Sequence, residues 1–446
     1  MKINPIKSPL LPTFFYYAIP SMLGLIAISS ASIVDGVFIG NWVGPEALAA
    51  VNLTIPYQAF VFSFLLMFSI GGTVRSGKYR GEKRFDDASA VFTKTIFVVT
   101  FFSLMISLAA WLNTGALGKA LGANDELQHL VVEYLDILLL FMPVQLIGIA
   151  IYFFVRMDEQ PVLASVALIC GAIANIVLDW LFITYFNWEL TGAAWATGLS
   201  QLLQSLILLL HFMTGKGRFK WLLQWEGWSE IPKGAINGFS EFINEVSGSL
   251  THFMINWLLM IRIGVIGLAA FTVINYIIFF AFMIFYSLGD AIQILVSQNF
   301  GAQQHTRIRN FIIIALVTSS TIAAMIMILL ISVPEKLVGV FLSGDVSSTL
   351  SLAKKFAMLI LPVFLFSGIN FVASSYFTAI HKPLESGIIA LCRGLIFPAS
   401  FLALFGWVIT DIPLLAALPI AEIITSFLSI ALMLKHLGNK SECGVL

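Results

Sequence analysis

Charge is what this sequence has least of. Only 11% of its 446 residues are Asp, Glu, Lys or Arg, against about 25% in soluble domains. The 24 basic and 24 acidic side chains cancel, which leaves no basic tail or domain to attract nucleic acid. Cysteine is scarce too. Cys170 and Cys392 lie in apolar stretches and Cys443 in the tail, so no disulfide framework is implied. Metal-ligand clusters, glycine-rich phosphate loops and nucleophile motifs are all missing. Direct drive by ATP therefore has no support, no cofactor is expected, and the chain does not read as an enzyme. The N-terminus, MKINPIKSPLLPTF, lacks the short apolar core and small-residue cleavage site of a signal peptide, so its first helix is expected to be retained.

Hydrocarbon takes the place of charge: 59% of the residues are hydrophobic. The apolar runs last about 20 residues or more, the length of a helical membrane span and too long for the alternating strands of a barrel. The expected fold is an all-α polytopic membrane protein with twelve transmembrane helices. They fall at roughly 13–40, 47–74, 88–112, 127–155, 161–186, 191–214, 232–262, 267–298, 306–332, 351–379, 385–409 and 413–437. An even number puts both termini on one side. Lysine and arginine gather at the termini and in the even-numbered loops, so both termini are expected in the cytoplasm of a multi-pass inner-membrane protein. Arg75, Lys78, Arg80, Lys83 and Arg84 are expected to set topology and to meet anionic lipid.

The longest polar break divides the spans six and six: residues 1–214 form an N-lobe, 215–231 a cytoplasmic linker and 232–446 a C-lobe. Trp221, Trp225 and Trp228 predict a short amphipathic helix in the linker, lying at the membrane interface. The two halves repeat. GPEALAAVN from Gly44 aligns with GVIGLAAFT from Gly264 at a shift of 220 residues, and Pro161 and Cys170 meet Pro383 and Cys392 at a shift of 222. Because six is even, the halves share one orientation. This is a parallel pseudo-two-fold repeat, as found in secondary transporters.

Candidate chemistry begins at Asp35. A charge near mid-membrane costs about 2.5–3.5 kcal/mol on insertion scales, so a carboxylate there is a functional residue by default. On the same helix Pro20 removes a backbone hydrogen bond and marks a place where the helix can bend. At 1.5 Å rise per residue, Asp35 lies roughly 33 Å from the cytoplasmic end of its helix and Asp179 roughly 27 Å from the start of its own. Asn175 is one turn away on the same face, and Thr197 lies roughly 9 Å inward from the outer start of the sixth span. All four share a depth. Two carboxylates in low dielectric repel when both are ionised, so such a pair takes up a proton readily. With the Asn and Thr oxygens it can instead hold Na⁺, a hard cation. At the repeat shifts these positions correspond to Ile255, Phe397, Phe401 and about Leu418. The architecture alone does not require polarity there, and the N-terminal half is the specialised one.

The seventh span carries a second constellation. Asn237, Glu241, Asn244, Glu245, Gly248, His252 and Asn256 recur at three- and four-residue steps, a polar stripe that must face the bundle interior or a water-filled cavity. Glu245 is its deep carboxylate and the expected partner of a cationic substrate, with Glu241, Asn244 and tenth-span Asn370 sharing the cavity. Asp290 and Gln293 are expected to be solvated at the cytoplasmic end of the eighth span. No lysine or arginine is expected deep within the spans, which favours cations over anions.

Several segments, in this order and spacing, carry a family resemblance. They are the first-span Pro20 to Asp35 followed by GNWVGPEALAAVNLTIP, then QPVLASVALICGAIANIVLDWLFI, GAAWATGLSQ, GFSEFINEVSGSLTHFMIN and IQILVSQNFGA. Together they resemble exporters of the MATE (multidrug and toxic compound extrusion) family, the last two the MepA-like bacterial branch. The resemblance implies an ion-coupling site on Asp35, Asn175, Asp179 and Thr197. It also matches Glu245 to an acidic position of the seventh span and Glu422 to one of the last. Some members are held to bind a cation through seventh- and tenth-span carboxylates; here the tenth span has no acid, only Ser367, Asn370 and Ser374. The expectation is a monomeric antiporter of amphipathic cationic drugs and dyes in the lipid bilayer, exchanging them for H⁺ or Na⁺. The alternatives are a flippase for lipid-linked or other metabolites, which would select basic cavity residues, and an integral-membrane enzyme.

Overall fold

The computed structural model describes residues 3–215, 217–222, 224–332, 347–409 and 411–438. Among them every regular element is helical. The chain runs α1 (Leu10–Phe38), α2 (Pro45–Gly81), α3 (Phe85–Trp111), a short α4 (Thr114–Ala120), α5 (Gln128–Met157), α6 (Pro161–Asp179) and α7 (Glu189–Met213). It continues with α8 (Glu230–Arg262), α9 (Val265–Gly301), α10 (His305–Ser332), α11 (Ser347–Ala379), α12 (Pro383–Leu391), α13 (Phe397–Ala403) and α14 (Ala417–Gly438). Among the described residues, eleven helical segments are long and apolar enough to cross a membrane. The remaining crossing is α8, 33 residues long; its polar stripe alone keeps it out of the apolar set. The twelve expected spans are present.

Helix starts follow local chemistry. Gly44 and Gly264, the paired glycines of the sequence repeat, each precede a 37-residue helix with φ of 130° and 80°, a backbone that side chains disfavour. Proline opens α2, α6 and α12, where its missing N–H costs nothing.

The residues group into two compact units, Met1–Gly238 and Phe239–Leu446. In the first, α5 packs against α2, α3, α6 and α7, and α1 lies along α6. Its core holds Val61, Leu65, Leu135, Leu138 and Leu146. The start of α8 crosses α2 at backbone contact: a Cβ on Gly71 would stand 1.9 Å from the Gly234 carbonyl oxygen, and one on Gly238 2.1 Å from that of Met67. In the second unit, α11 packs against α9, α10 and α14 around Phe271, Phe285, Ile360, Phe364 and Leu415.

Two expectations need correction. The linker forms no helix in its described residues between 217 and 228. Its backbone donors go to side chains of the first unit instead: the Arg218, Lys220 and Leu222 N–H groups donate to Asp158 Oδ2, Ser89 Oγ and Thr93 Oγ1 at 2.9, 3.3 and 2.8 Å. Gly215 and Gly227, both at positive φ, add to the irregular path. Second, two of the five basic residues after the second span are not turned to lipid. Arg80 is 4% exposed and pairs with Asp158 at 2.8 Å, while Arg75 pairs with Glu230. The eleventh span is continuously helical over Pro383–Val408 but not uniformly α. Wide π-helical turns at Cys392–Ile396 and Leu404–Val408 flank α13. Pro398 contributes to the first π-turn. Without an N–H it leaves the Gly394 carbonyl free, and Thr251 Oγ1 of α8 donates to that oxygen at 2.5 Å.

Candidate functional site

In the first unit α1 approaches α6 through Gly24, where a Cβ would come within 2.8 Å of Leu168 Cδ1. Both helices widen into π-turns at their ends, Ile39–Val43 after α1 and Trp180–Tyr185 after α6. Asp35 lies one turn before the first, and Asp179 immediately precedes the second. Such turns recur at functional sites because they leave backbone groups re-aimed or unpaired. Here the result is that the Asp35 and Asp179 carboxyl groups face each other within hydrogen-bonding reach. Asp179 is fully buried. Asp35 Oδ1 and both Asp179 oxygens have no hydrogen-bond donor among the described residues.

Asn175 is buried one turn before Asp179 on α6, and half-buried Thr197 lies on α7, which packs against α6. Two further residues belong to this neighbourhood. Buried Tyr134 of α5 lies within electrostatic reach of both carboxylates. Thr184, in the π-turn after Asp179, has a buried hydroxyl without a partner. Sequence reasoning missed Tyr134, a tyrosine among apolar residues with no spacing to single it out. Thr184, one turn past Asp179, was visible in principle. Pro20 lies inside α1, which is unbroken across it. A separate cavity of about 200 Å³ opens between α2 and α5, where Ile55, Phe62, Met142 and Leu146 surround the amides of Gln58 and Gln145. Apolar walls with a few polar groups are the usual make-up of a small-molecule pocket.

The second unit holds a different arrangement, and it overturns the expectation of spans free of basic residues. Arg393, in the first π-turn of the eleventh span, is 9% exposed. Its Nε donates to Glu422 Oε1 at 2.9 Å and its Nη1 to Asn244 Oδ1 at 3.2 Å. Its guanidinium lies 3.6 Å from the Phe371 ring centroid. Asn370 is fully buried and committed to the same network. It donates to Glu422 Oε2 at 2.6 Å and accepts from Ser426 and Ser429. Lys94, also within a span, donates to the Glu226 carbonyl oxygen. Pairing with a carboxylate or a backbone carbonyl is the physical reason such residues survive in the membrane; spacing cannot reveal the partner.

On α8, Glu241 is 5% exposed and accepts from Gln293 Nε2 at 2.7 Å. Gln293 and Asp290 are buried rather than solvated, a second correction, because α9 extends past the expected span end to Gly301. Glu245 is only half-buried, and its carboxylate has no hydrogen-bond partner among the described residues. His252 pairs with Asn256 at 3.3 Å.

Twelve long helices with buried acids define a multi-pass helical membrane protein. The MatE family model matches residues 20–181 and 244–402, and the chain belongs to that family. It is a transport protein, not an enzyme. The multidrug export protein MepA of Staphylococcus saprophyticus is 23% identical over 408 residues, covering 90% of this chain and 89% of that protein. The MepA of Staphylococcus aureus strain MSSA476 is 24% identical over 409 residues, with the same coverage. Among solved structures, a multidrug resistance MATE family transporter of the MOP superfamily in an outward-facing conformation is similar. It has a TM-score of 0.91, 18% identity and 98% of both chains covered. A MOP superfamily transporter from Pyrococcus furiosus, described as having a binding pocket of reverse polarity, gives 0.90, 18% and 98% of both.

Proposed function

We propose that this protein is a secondary-active exporter of amphipathic, mostly cationic small molecules, exchanged for H⁺ or Na⁺ at Asp35 and Asp179 by alternating access. The observation that carries the reading is the facing carboxylate pair, of which Asp35 Oδ1 and both Asp179 oxygens meet no donor among the described residues. A buried acid facing a half-buried one needs a proton or a cation between them, and the described residues supply neither. What completes the pair must arrive from solution, which is what a coupling site requires. Asn175 and Thr197 offer the neutral oxygens that Na⁺ would add to the carboxylates; for H⁺ they are dispensable. MepA relatives named for multidrug export support small organic substrates. The half-buried Glu245, whose carboxylate has no hydrogen-bond partner among the described residues, supplies the acidic group that a cationic substrate needs, with Glu241 and Asn244 beside it on α8.

Filling the pair removes its charge. We take α1 then to bend at Pro20, which narrows the N-terminal cavity and releases substrate outward. Exchange of one proton for one monovalent cation moves no net charge; a second proton adds about 2.3 kcal/mol per 100 mV of membrane potential. The working unit is a monomer in the inner membrane of a bacterial cell, with both termini cytoplasmic.

The test is dye efflux in inverted vesicles with a pH gradient and a Na⁺ gradient imposed separately. One gradient should drive efflux in the wild type, and Asp35→Asn should lose that drive while still binding dye. Wild-type efflux by Asp35→Asn would end the reading. A flippase for an anionic lipid-linked substrate gains one observation, the intramembrane Arg393. Its charge is already spent on Glu422, so export of cations stays the better account.

A further inference from the structure

Arg393 has no part in the coupling described above, yet it is the one basic side chain that ion pairing places among the acids of the second unit's described interior. Those acids are Glu241, Glu245, Asp290 and Glu422. Arg393 pairs with Glu422 at 2.9 Å, lies over Phe371, and stands within electrostatic reach of both Glu241 and Glu245. A carboxylate and an aromatic face are the groups that bind a flat organic cation. This chain fills such a box with its own guanidinium. Gln293 occupies Glu241, so Glu245 is left as the open carboxylate.

We propose that Arg393 is a specificity-determining residue that sets the charge number of accepted substrates: by occupying Glu422 and screening Glu245 it leaves a site for a monocation and disfavours a dication. The inference rests on the export reading above. Its physical basis is that Coulomb energy scales with ligand charge. Removing one fixed positive charge strengthens attraction of a dication about twice as much as that of a monocation at the same distance, so the ratio of their affinities reports Arg393 directly. A general loosening of the fold would weaken both ligands alike. Arg393 also sits in a π-turn tied to α8 by the Thr251 hydrogen bond to the Gly394 carbonyl, which places its charge beside the acidic stripe.

The experiment compares ethidium, a monocation, with propidium, a dication on the same ring system. Each is titrated into the purified full-length protein in lipid nanodiscs. Wild type should prefer ethidium. Arg393→Gln should move the ratio of dissociation constants toward propidium by about tenfold, and Arg393→Lys, which keeps the charge, should restore it. Glu422→Gln should move the ratio the opposite way, because it leaves Arg393 uncompensated. The double variant Arg393→Gln with Glu422→Gln removes one charge of each sign and should return to the wild-type ratio. A ratio unchanged in folded Arg393→Gln, or a double variant that behaves like Arg393→Gln alone, overturns the proposal. If Arg393→Gln does not fold, Glu422→Gln and the double variant decide: opposite movement and return support it, and an unmoved ratio overturns it. Should wild type bind neither dye, the cation-export reading fails and takes this inference with it. Ethidium binding with an unresponsive ratio sinks this inference alone.

Discussion

Asp35 and Asp179 face each other inside the N-terminal unit, carboxyl to carboxyl, and no donor among the described residues reaches the Asp179 oxygens. Asp179→Asn should bring an amide donor against Asp35 and so supply from within what a proton or cation would otherwise supply. The expected outcome is a protein that still binds dye but whose efflux no longer responds to either gradient, measured in inverted vesicles. Gradient-driven efflux at the wild-type rate would mean that the pair is structural.

Pro20→Ala restores an N–H opposite the Tyr16 carbonyl and stiffens α1. If bending there accompanies release, efflux should slow while equilibrium dye binding persists. Normal transport with unchanged pH dependence would remove the bending step and leave the carboxylate pair untouched.

Asp158 is a hub between α5 and α6. It accepts from Arg80 Nη1 and the Arg218 N–H and pairs with His211 Nε2, at 2.8, 2.9 and 2.8 Å. Asp158→Ala leaves the Arg80 guanidinium buried with only Glu159, 3.6 Å away. Breaking one side of a buried pair costs about 3–5 kcal/mol. The residual Glu159 contact puts this case near the lower end, and thermal unfolding of the purified protein should show it.

Glu230, ahead of the membrane-crossing part of α8, is pushed up by burial. Hydrogen bonds from Tyr79, Lys233 and Arg75, with the Arg75 charge, outweigh burial and bring it from 4.5 down to about 2. A lowered folded-state value stabilises above the unfolded one. The contribution is complete above about pH 5 and fades as pH falls toward about 2. Wild type should therefore be more heat-stable than Glu230→Gln near neutrality, and the gap should close in that acid window. A gap independent of pH would show that charge is not what Glu230 contributes.

Gly71→Ala should be poorly tolerated, because its Cβ would meet backbone rather than a yielding side chain. Either α2 and the start of α8 separate or the protein fails to accumulate, and a cysteine cross-link between the two helices distinguishes these outcomes. Gly36→Ala, with nothing within 4 Å of its Cβ, is the control and should leave yield unchanged.

What the sequence determined on its own follows from one-dimensional rules. Apolar run length, the positions of proline and glycine, and the stripe on α8 suffice to place twelve helices and to bring Asp35 and Asp179 to one depth, because depth is only residue number times rise. Pairing is not a one-dimensional property. That Asp35 meets Asp179 depends on α1 packing along α6, which Gly24 allows by its close approach to Leu168. That the linker threads over Asp158, Ser89 and Thr93, rather than coiling into a helix, depends on acceptors supplied by α3 and by the turn after α5. Arg393 makes the point most clearly. Its place in the chain made it an improbable intramembrane cation, and only the fold brought Glu422, Asn244 and Phe371 from three other helices to neutralise, orient and cover it.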